Sequence, residues 1–265
     1  MSQSPHSKVE RDLLAMGKQY HIACGPGDVG RYCFLPGDPG RVPLIAAQFD
    51  EAWKVAENRE YVVYTGTVDG IKVTACSTGI GGPSTAIAVE ELAAIGADTF
   101  IRVGKSGGLQ PYLPPGSLVI ASGAVRDEGT SRYYMPLEYP AVAGLDVVNA
   151  LVAACRELGM PHRVGIIQSK DAFYTEIRPE TFPMAEELVQ RWKTYQRAGV
   201  LASEMEAGTL FTVAGCRGWR GGCLVQVADN QYAGKTLGPE LSMEDCIRTA
   251  IHAVRILARQ DGVGR

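Results

Sequence analysis

Arg102 is followed within six residues by Gly104, Lys105, Ser106, Gly107 and Gly108. Cationic and hydroxyl donors beside glycine backbone, whose amides can approach a ligand closely, make anion-binding chemistry. A second basic, glycine-rich turn, LPGDPGRV over residues 35–42, carries Gly37, Asp38 and Arg41. Two such turns at strand ends of one sheet converge on one crevice; the alternative is that the glycines only punctuate strand-to-helix turns. Glu204 and Glu206 straddle Met205 where an apolar helix begins, in SEMEAGTLF. There they either complement the helix dipole or accept hydrogen bonds from sugar hydroxyls. Asp229 ends an apolar strand in VADN, where a carboxylate either acts on a ligand or is satisfied by a loop amide. Phe173 and Tyr174, at another strand exit, either stack a planar ligand or cap the core. His21 stands alone in QYHIACGPGD.

These groups need a scaffold that delivers strand ends to one place. Alternating or apolar runs predict strands over residues 32–35, 71–77, 99–103, 117–122, 163–168 and 224–227, with a hairpin joining 61–66 to 71–77 around Val68, Asp69 and Gly70. Helical spacing predicts helices over residues 42–49, 84–95, 145–158, 184–195 and 242–259, the last with Ile247, Ile251, Val254 and Leu257 on one face. Arg59 and Glu60 stand just before the hairpin. Residues 124–134, AVRDEGTSRYY, are too polar for core and read as a pocket-rim loop. The first twenty residues read as a polar arm with a short helical tendency over 9–16. Strands alternating with helices make an α/β sandwich.

No linker, repeat or low-complexity tract divides the 265 residues, so a single domain over 1–265 is expected. A composition 46% hydrophobic and 21% charged suits a folded domain with a large core, and a net charge of -3 without a basic stripe argues against nucleic-acid binding. No window approaches the ~18 apolar residues of a membrane span, and the first residues lack the apolar run of a signal peptide. A cytoplasmic location is expected. Seven cysteines, odd in number and scattered without metal-ligand spacing, read as reduced core thiols.

Taken in order, LPGDPGRV, NREY, STGIGGPSTAIAVEEL, FIRVGKSGG, DAFY and SEMEAGTLF resemble the nucleoside phosphorylase family of the uridine phosphorylase type over nearly the whole chain. The resemblance implies a three-layer αβα sandwich with a central mixed β-sheet. It implies a homo-oligomer, typically a hexamer built as a trimer of dimers, that cleaves a nucleoside with inorganic phosphate to a free base and ribose 1-phosphate, with no organic cofactor. The family's phosphate positions fall on Gly37, Asp38, Arg41 and Arg102, with Arg59 supplied by the adjacent subunit. Its ribose positions fall on Met205 and Glu206, with His21 reaching in from the neighbour. Phe173, Tyr174, Arg178 and Glu204 take the base side. Glu60, Ile80 and Ser84 match positions that in some members hold a monovalent cation, K+, at the dimer interface. The implied catalytic groups are Arg102, Glu206 and Asp229.

Three positions depart from the pattern. Lys105 stands where the family usually has a threonine or serine that touches phosphate and ribose; it either adds phosphate affinity or turns out to solvent, and Ser106 can supply the displaced hydroxyl. Uridine-type members read the uracil edge with a glutamine and an arginine after the Phe-Tyr pair, whereas here Ile177, Arg178 and Pro179 follow. Asp229 matches the aspartate of purine-type relatives that protonates the purine ring nitrogen. The residues thus favour a uridine-type phosphorylase, with purine phosphorolysis, a nucleosidase and a non-catalytic nucleoside-binding protein as alternatives.

Overall fold

The computed structural model describes residues 17–230, 232 and 242–263. Most of the expected N-terminal arm, including its helix over residues 9–16, lies outside them. At the centre stands β1 (Tyr32–Leu35), fully buried and paired in parallel with β4 (Ile71–Cys76) on one side and β5 (Thr99–Gly108) on the other. Such a strand must be apolar on both faces, and YCFL is. Tyr32 and Phe34 enter one core, Cys33 and Leu35 the other. β3 (Tyr61–Val68) forms a hairpin with β4 through Asp69 and Gly70, at φ 52° and 77°. Two positive φ values make the tight primed turn for which Asp-Gly is suited. Outside β3 lies the exposed strand β2 (Glu51–Asn58).

The other end of the sheet curls. β10 (Arg220–Asp229) runs parallel to β5 along its whole length and antiparallel to β6 (Leu118–Asp127). β6 also pairs with β8 (His162–Lys170) and, at its far half, with the two-residue β7 (Ala141–Val142). The short β9 (Ala202–Glu204) then joins β8 back to Gly107 and Gly108 of β5. The pairings β5–β10–β6–β8–β9–β5 therefore close a hoop, from which β1, β4, β3 and β2 extend as an open wing.

Helices cover both faces, giving the expected three layers around a mixed sheet. On one side α1 (Val42–Ala46), α4 (Leu145–Glu157) and α8 (Glu244–Gln260) bury Ile45, Leu151, Ile247, Ile251 and Val254 with Phe34 and Ile101. On the other, α2 (Gly82–Ala94) and α7 (Ala207–Arg217) bury Val89, Leu92, Leu210 and Phe211 with Leu35 and Phe100. Shorter helices α3 (Ser131–Tyr134) and α5 (Tyr174–Ile177), with α6 (Ala185–Arg197), lie near the hoop's rim. Cys24, Cys33, Cys76, Cys155, Cys223 and Cys246 are buried free thiols; burial pushes Cys24 and Cys246 up to about 12.

Three expectations change. Residues 104–108 are strand, not a flexible turn, because β10 and β9 supply hydrogen-bond partners from distant sequence. Residues 124–127 extend β6 alongside β8 rather than opening the rim loop, which begins after Asp127. β2 and β9 were not foreseen: one is a polar edge strand, the other three residues long.

Candidate active site

Arg102 lies inside β5, and its guanidinium is buried and oriented by two carboxylates. Nε donates to Glu204 Oε2 at 2.7 Å, and Nη2 lies 2.5 Å from Glu206 Oε2. Burial works against the charge, but Glu206 and Glu204 outweigh it and raise the pKa above its ordinary value. The remaining nitrogen, Nη1, is buried without any hydrogen-bond partner among the described residues. A Cβ on Gly37 would stand 3.7 Å from it, so Nη1 faces the bare backbone of the β1 exit. Gly104 leaves room for the guanidinium, since a Cβ there would lie 2.9 Å from Arg102 Cζ.

Arg41 ends a one-turn helix, Pro39–Arg41, whose cap, Asp38, accepts from Gly40 N at 2.9 Å. Its ion pair with Asp38 is long, 3.6 Å. Burial and then the nearby charge of Arg102 lower its pKa. Two guanidiniums that repel one another, one with an unbonded buried donor, form a place that an anion would stabilise.

The two glutamates divide their work. Glu204 ends β9 with its side chain 0% exposed. Its oxygens accept from Arg102 Nε, from the Ser169 hydroxyl, and from the amides of Glu206 at 2.8 Å and Ala207 at 3.0 Å. These donors enclose it, and it orients Arg102 while capping the amides at the start of α7. Glu206 accepts from Gly81 N at 2.7 Å, and burial raises its pKa against the pull of Arg102. The backbone turn at Gly79 to Gly81, with Gly81 at φ 94° before α2, thereby joins the cluster. Met205 lies between the two glutamates, partly buried.

The far end of β5 forms a second half of the site. Gly107 pairs with Asp229 on β10 and with Ser203 on β9. Asp229 Oδ1 is buried with no hydrogen-bond partner among the described residues. Phe173 and Tyr174 are 50% and 57% exposed and meet edge to face at 5.4 Å, so they do not cap the core. Arg178 is exposed and stacks on Tyr174 at 5.0 Å. Ser106 is buried and donates to Gln226 O at 3.4 Å; Lys105 is half-buried, registers with Gln226 and makes no side-chain hydrogen bond or ion pair among the described residues.

Sequence reasoning missed a buried pair here. Lys170, at the end of β8, contacts Glu176 of α5, donates to Ser203 Oγ at 2.5 Å and lies 5.8 Å from the Phe173 ring. Burial lowers its pKa to about 8, against the opposing pull of Glu204, Glu206 and Asp127. The only signal in the sequence is a lysine and a glutamate flanking the aromatic pair, KDAFYTE.

His21 and Arg59 sit apart from the Arg102 cluster. His21 Nδ1 lies 2.6 Å from Glu91 Oε1, and Asn58 Nδ2 donates to the His21 carbonyl at 2.8 Å. Arg59, at φ 55°, stacks on Tyr20 at 5.3 Å. The two share one surface. Glu60 packs against Gly79, where a Cβ would stand 2.9 Å from its Cγ, and Ser84 Oγ donates to the carbonyl of Ile80, a side chain 77% exposed. Among the described residues no helix is long and apolar enough to cross a membrane.

A family profile described as Phosphorylase superfamily matches residues 31–259. A uridine phosphorylase of Thermococcus kodakarensis is 49% identical, with 95% of this chain and 91% of the relative covered. One of Treponema pallidum is 46% identical over 92% and 95%. A guanosine phosphorylase of Halorubrum lacusprofundi is 42% identical over 91% of this chain and all of its own.

Proposed function

Because the chain belongs to the phosphorylase superfamily, we propose that it is a pentosyltransferase that cleaves a uridine-type nucleoside with phosphate, releasing the base and ribose 1-phosphate. The observation that carries this reading is Arg102 Nη1, a buried donor with no partner among the described residues, beside a second guanidinium and a bare glycine backbone. The relatives named for uridine support the substrate class.

In this mechanism Arg102, Arg41 and the amides near Gly37 and Asp38 hold phosphate, with Lys105 and Ser106 as further donors. Glu206 and Met205 hold the ribose. The bond from the anomeric carbon to the base nitrogen breaks, its electron pair leaves on the base, and a phosphate oxygen bonds the same carbon from the opposite face. Positive charge on the ribose is stabilised by the anion that the arginines fix in line. Phe173 and Tyr174 flank the base.

A purine reading is supported by the unpartnered Asp229 Oδ1 at the base end and by the relative named for guanosine. Protonated, Asp229 would donate to a purine ring nitrogen as the bond breaks.

The shared surface of His21 and Arg59 supports an assembly, a hexamer of paired subunits, in which each copy lends these residues to its neighbour's ribose and phosphate. Glu60, the Ile80 carbonyl and Ser84 are hard oxygen donors gathered at one spot, which suits K+ if a second copy completes the shell. The same reading gives the protein a role in nucleoside salvage in the cytoplasm.

The test is release of base from uridine, thymidine, inosine and adenosine, each with and without phosphate. Phosphate-dependent release from uridine is expected, and Arg102→Ala should lower kcat/KM about 10²–10³-fold. Release without phosphate would make the protein a nucleosidase, and binding without turnover a non-catalytic binder.

A further inference from the structure

Glu176 is a buried group that the mechanism above leaves without a task. Its side chain is 9% exposed, and only one of its oxygens is occupied. Oε2 contacts the Lys170 ammonium and lies 3.1 Å from Ser203 Oγ. Oε1 takes no hydrogen bond among the described residues, and it lies 3.6 Å from where a Cβ on Gly107 would stand. Gly107 has no side chain to fill that space, and its strand neighbour on the other edge is Asp229, whose Oδ1 also takes no hydrogen bond among the described residues. The carboxylate is locked from behind: Ser203 Oγ reaches Gln168 Oε1 at 2.8 Å, and Gln168 Nε2 donates to Asp127 Oδ2 at 2.8 Å. Lys170 itself lies 5.3 Å from the Trp192 ring. A charge so heavily braced on one oxygen, with the other bare at the end of the site, is built to accept a hydrogen bond from a ligand.

We propose that Glu176 Oε1 reads the base by accepting its ring N–H, with Lys170 as the positioning residue that aims the carboxylate. This rests on the phosphorylase reading and deepens it. An ionised carboxylate only accepts, so it suits bases whose Watson–Crick edge presents a ring N–H beside a carbonyl: uracil and thymine at N3, hypoxanthine and guanine at N1. Cytosine and adenine present a bare ring nitrogen there, acceptor against acceptor. The pair thus does the work for which Ile177 and Pro179 offer no hydrogen-bonding side chain, and it gives pyrimidine and purine lactams one common recognition element. Glu176 touches the leaving base and not the bond that breaks.

The experiment pairs a change in the enzyme with a change in the base. Phosphorolysis of uridine and 3-methyluridine, and of inosine and 1-methylinosine, is measured for the wild type, Glu176→Ala and Lys170→Met. In the wild type N-methylation should lower kcat/KM about 10–100-fold, the scale of a hydrogen bond to a charged group. In Glu176→Ala the unmethylated nucleosides should fall by a similar factor, and methylation should cost little more. Lys170→Met should raise KM for the unmethylated nucleosides, and Lys170→Arg should restore it. An equal methylation penalty in wild type and Glu176→Ala, or wild-type preference for cytidine or adenosine, would overturn the assignment. Phosphorolysis of 4-nitrophenyl riboside, which lacks a base edge, reports separately on the phosphorylase reading. If that also fails, calorimetric titration with uracil and 3-methyluracil decides the Glu176 role: loss of the difference in Glu176→Ala supports it, and its persistence refutes it.

Discussion

Asp229 Oδ1 and Arg102 Nη1 are buried, one an acceptor and one a donor, and neither has a partner among the described residues. Leaving such a group unpaired costs about 1–3 kcal/mol, so each is a local sacrifice of stability that a ligand can recover. At Asp229 the consequence is measurable. Asp229→Asn removes the capacity to deliver a proton while keeping the shape, so purine nucleoside cleavage should drop about 10²-fold or more while uridine cleavage is spared. Thermal denaturation should show no loss of stability. Parallel losses for both substrates would make Asp229 structural.

The elements explain which parts of the site could be read in advance. β1, the Asp69-Gly70 hairpin and the apolar face of α8 announce themselves locally, by burial on both sides, by turn chemistry and by helical spacing. The residue types around Arg102 were legible too. What escaped was non-local: Gly104 to Gly108 read as a turn because their strand partners are more than ninety residues away in sequence, on β10 and β9. Glu204 and Glu206 were indistinguishable as a spaced pair; only the change from β9 to α7 between them turns both to one guanidinium and encloses the first. Lys170 and Glu176 were silent because their meaning lies in mutual burial. At the element scale Gly104→Ala is the informative change. The added Cβ would press on a guanidinium that Glu204 and Glu206 prevent from retreating. A stability loss of about 1–3 kcal/mol is expected from overpacking, and kinetics should show a phosphate KM raised at least about tenfold. An unchanged KM would show that Arg102 has room to move.

Across the molecule, the layers are tied together at the end opposite the site by Arg220. From β10 it donates to Asp146 at the start of α4 at 3.1 Å and to Asp261 beyond α8 at 2.6 Å, while Tyr32 of β1 donates to Asp261 at 2.7 Å. Burial raises the pKa of Asp261, but the bonds from Arg220 and Tyr32 win and hold it below its ordinary value. A depressed carboxylate adds stability above its unfolded pKa, about 3.9, and that contribution is lost as pH falls through the lower folded value. Asp261→Asn should therefore cost roughly 1–3 kcal/mol of stability near neutral pH, seen as a lower Tm, and flatten the decline in stability as pH falls below about 4. Differential scanning fluorimetry across pH would test it, and an unchanged acid limb would mean the clamp is idle.

The closed hoop also bears on how the chain behaves in a crowded solution. Strands closed on one another shield their amides and carbonyls from a foreign strand, and the stretch of the hoop left uncovered is the outer edge of β8 over residues 162–165, beyond the reach of the three-residue β9. Among the described strands that liability falls on this stretch of β8, on the two-residue β7 and on β2. β2 guards itself with Glu51, Lys54 and Glu57, charges that must be desolvated before another chain can add there. Neutralising those three side chains is the change that would convert a well-behaved enzyme into a sticky one while leaving its chemistry untouched.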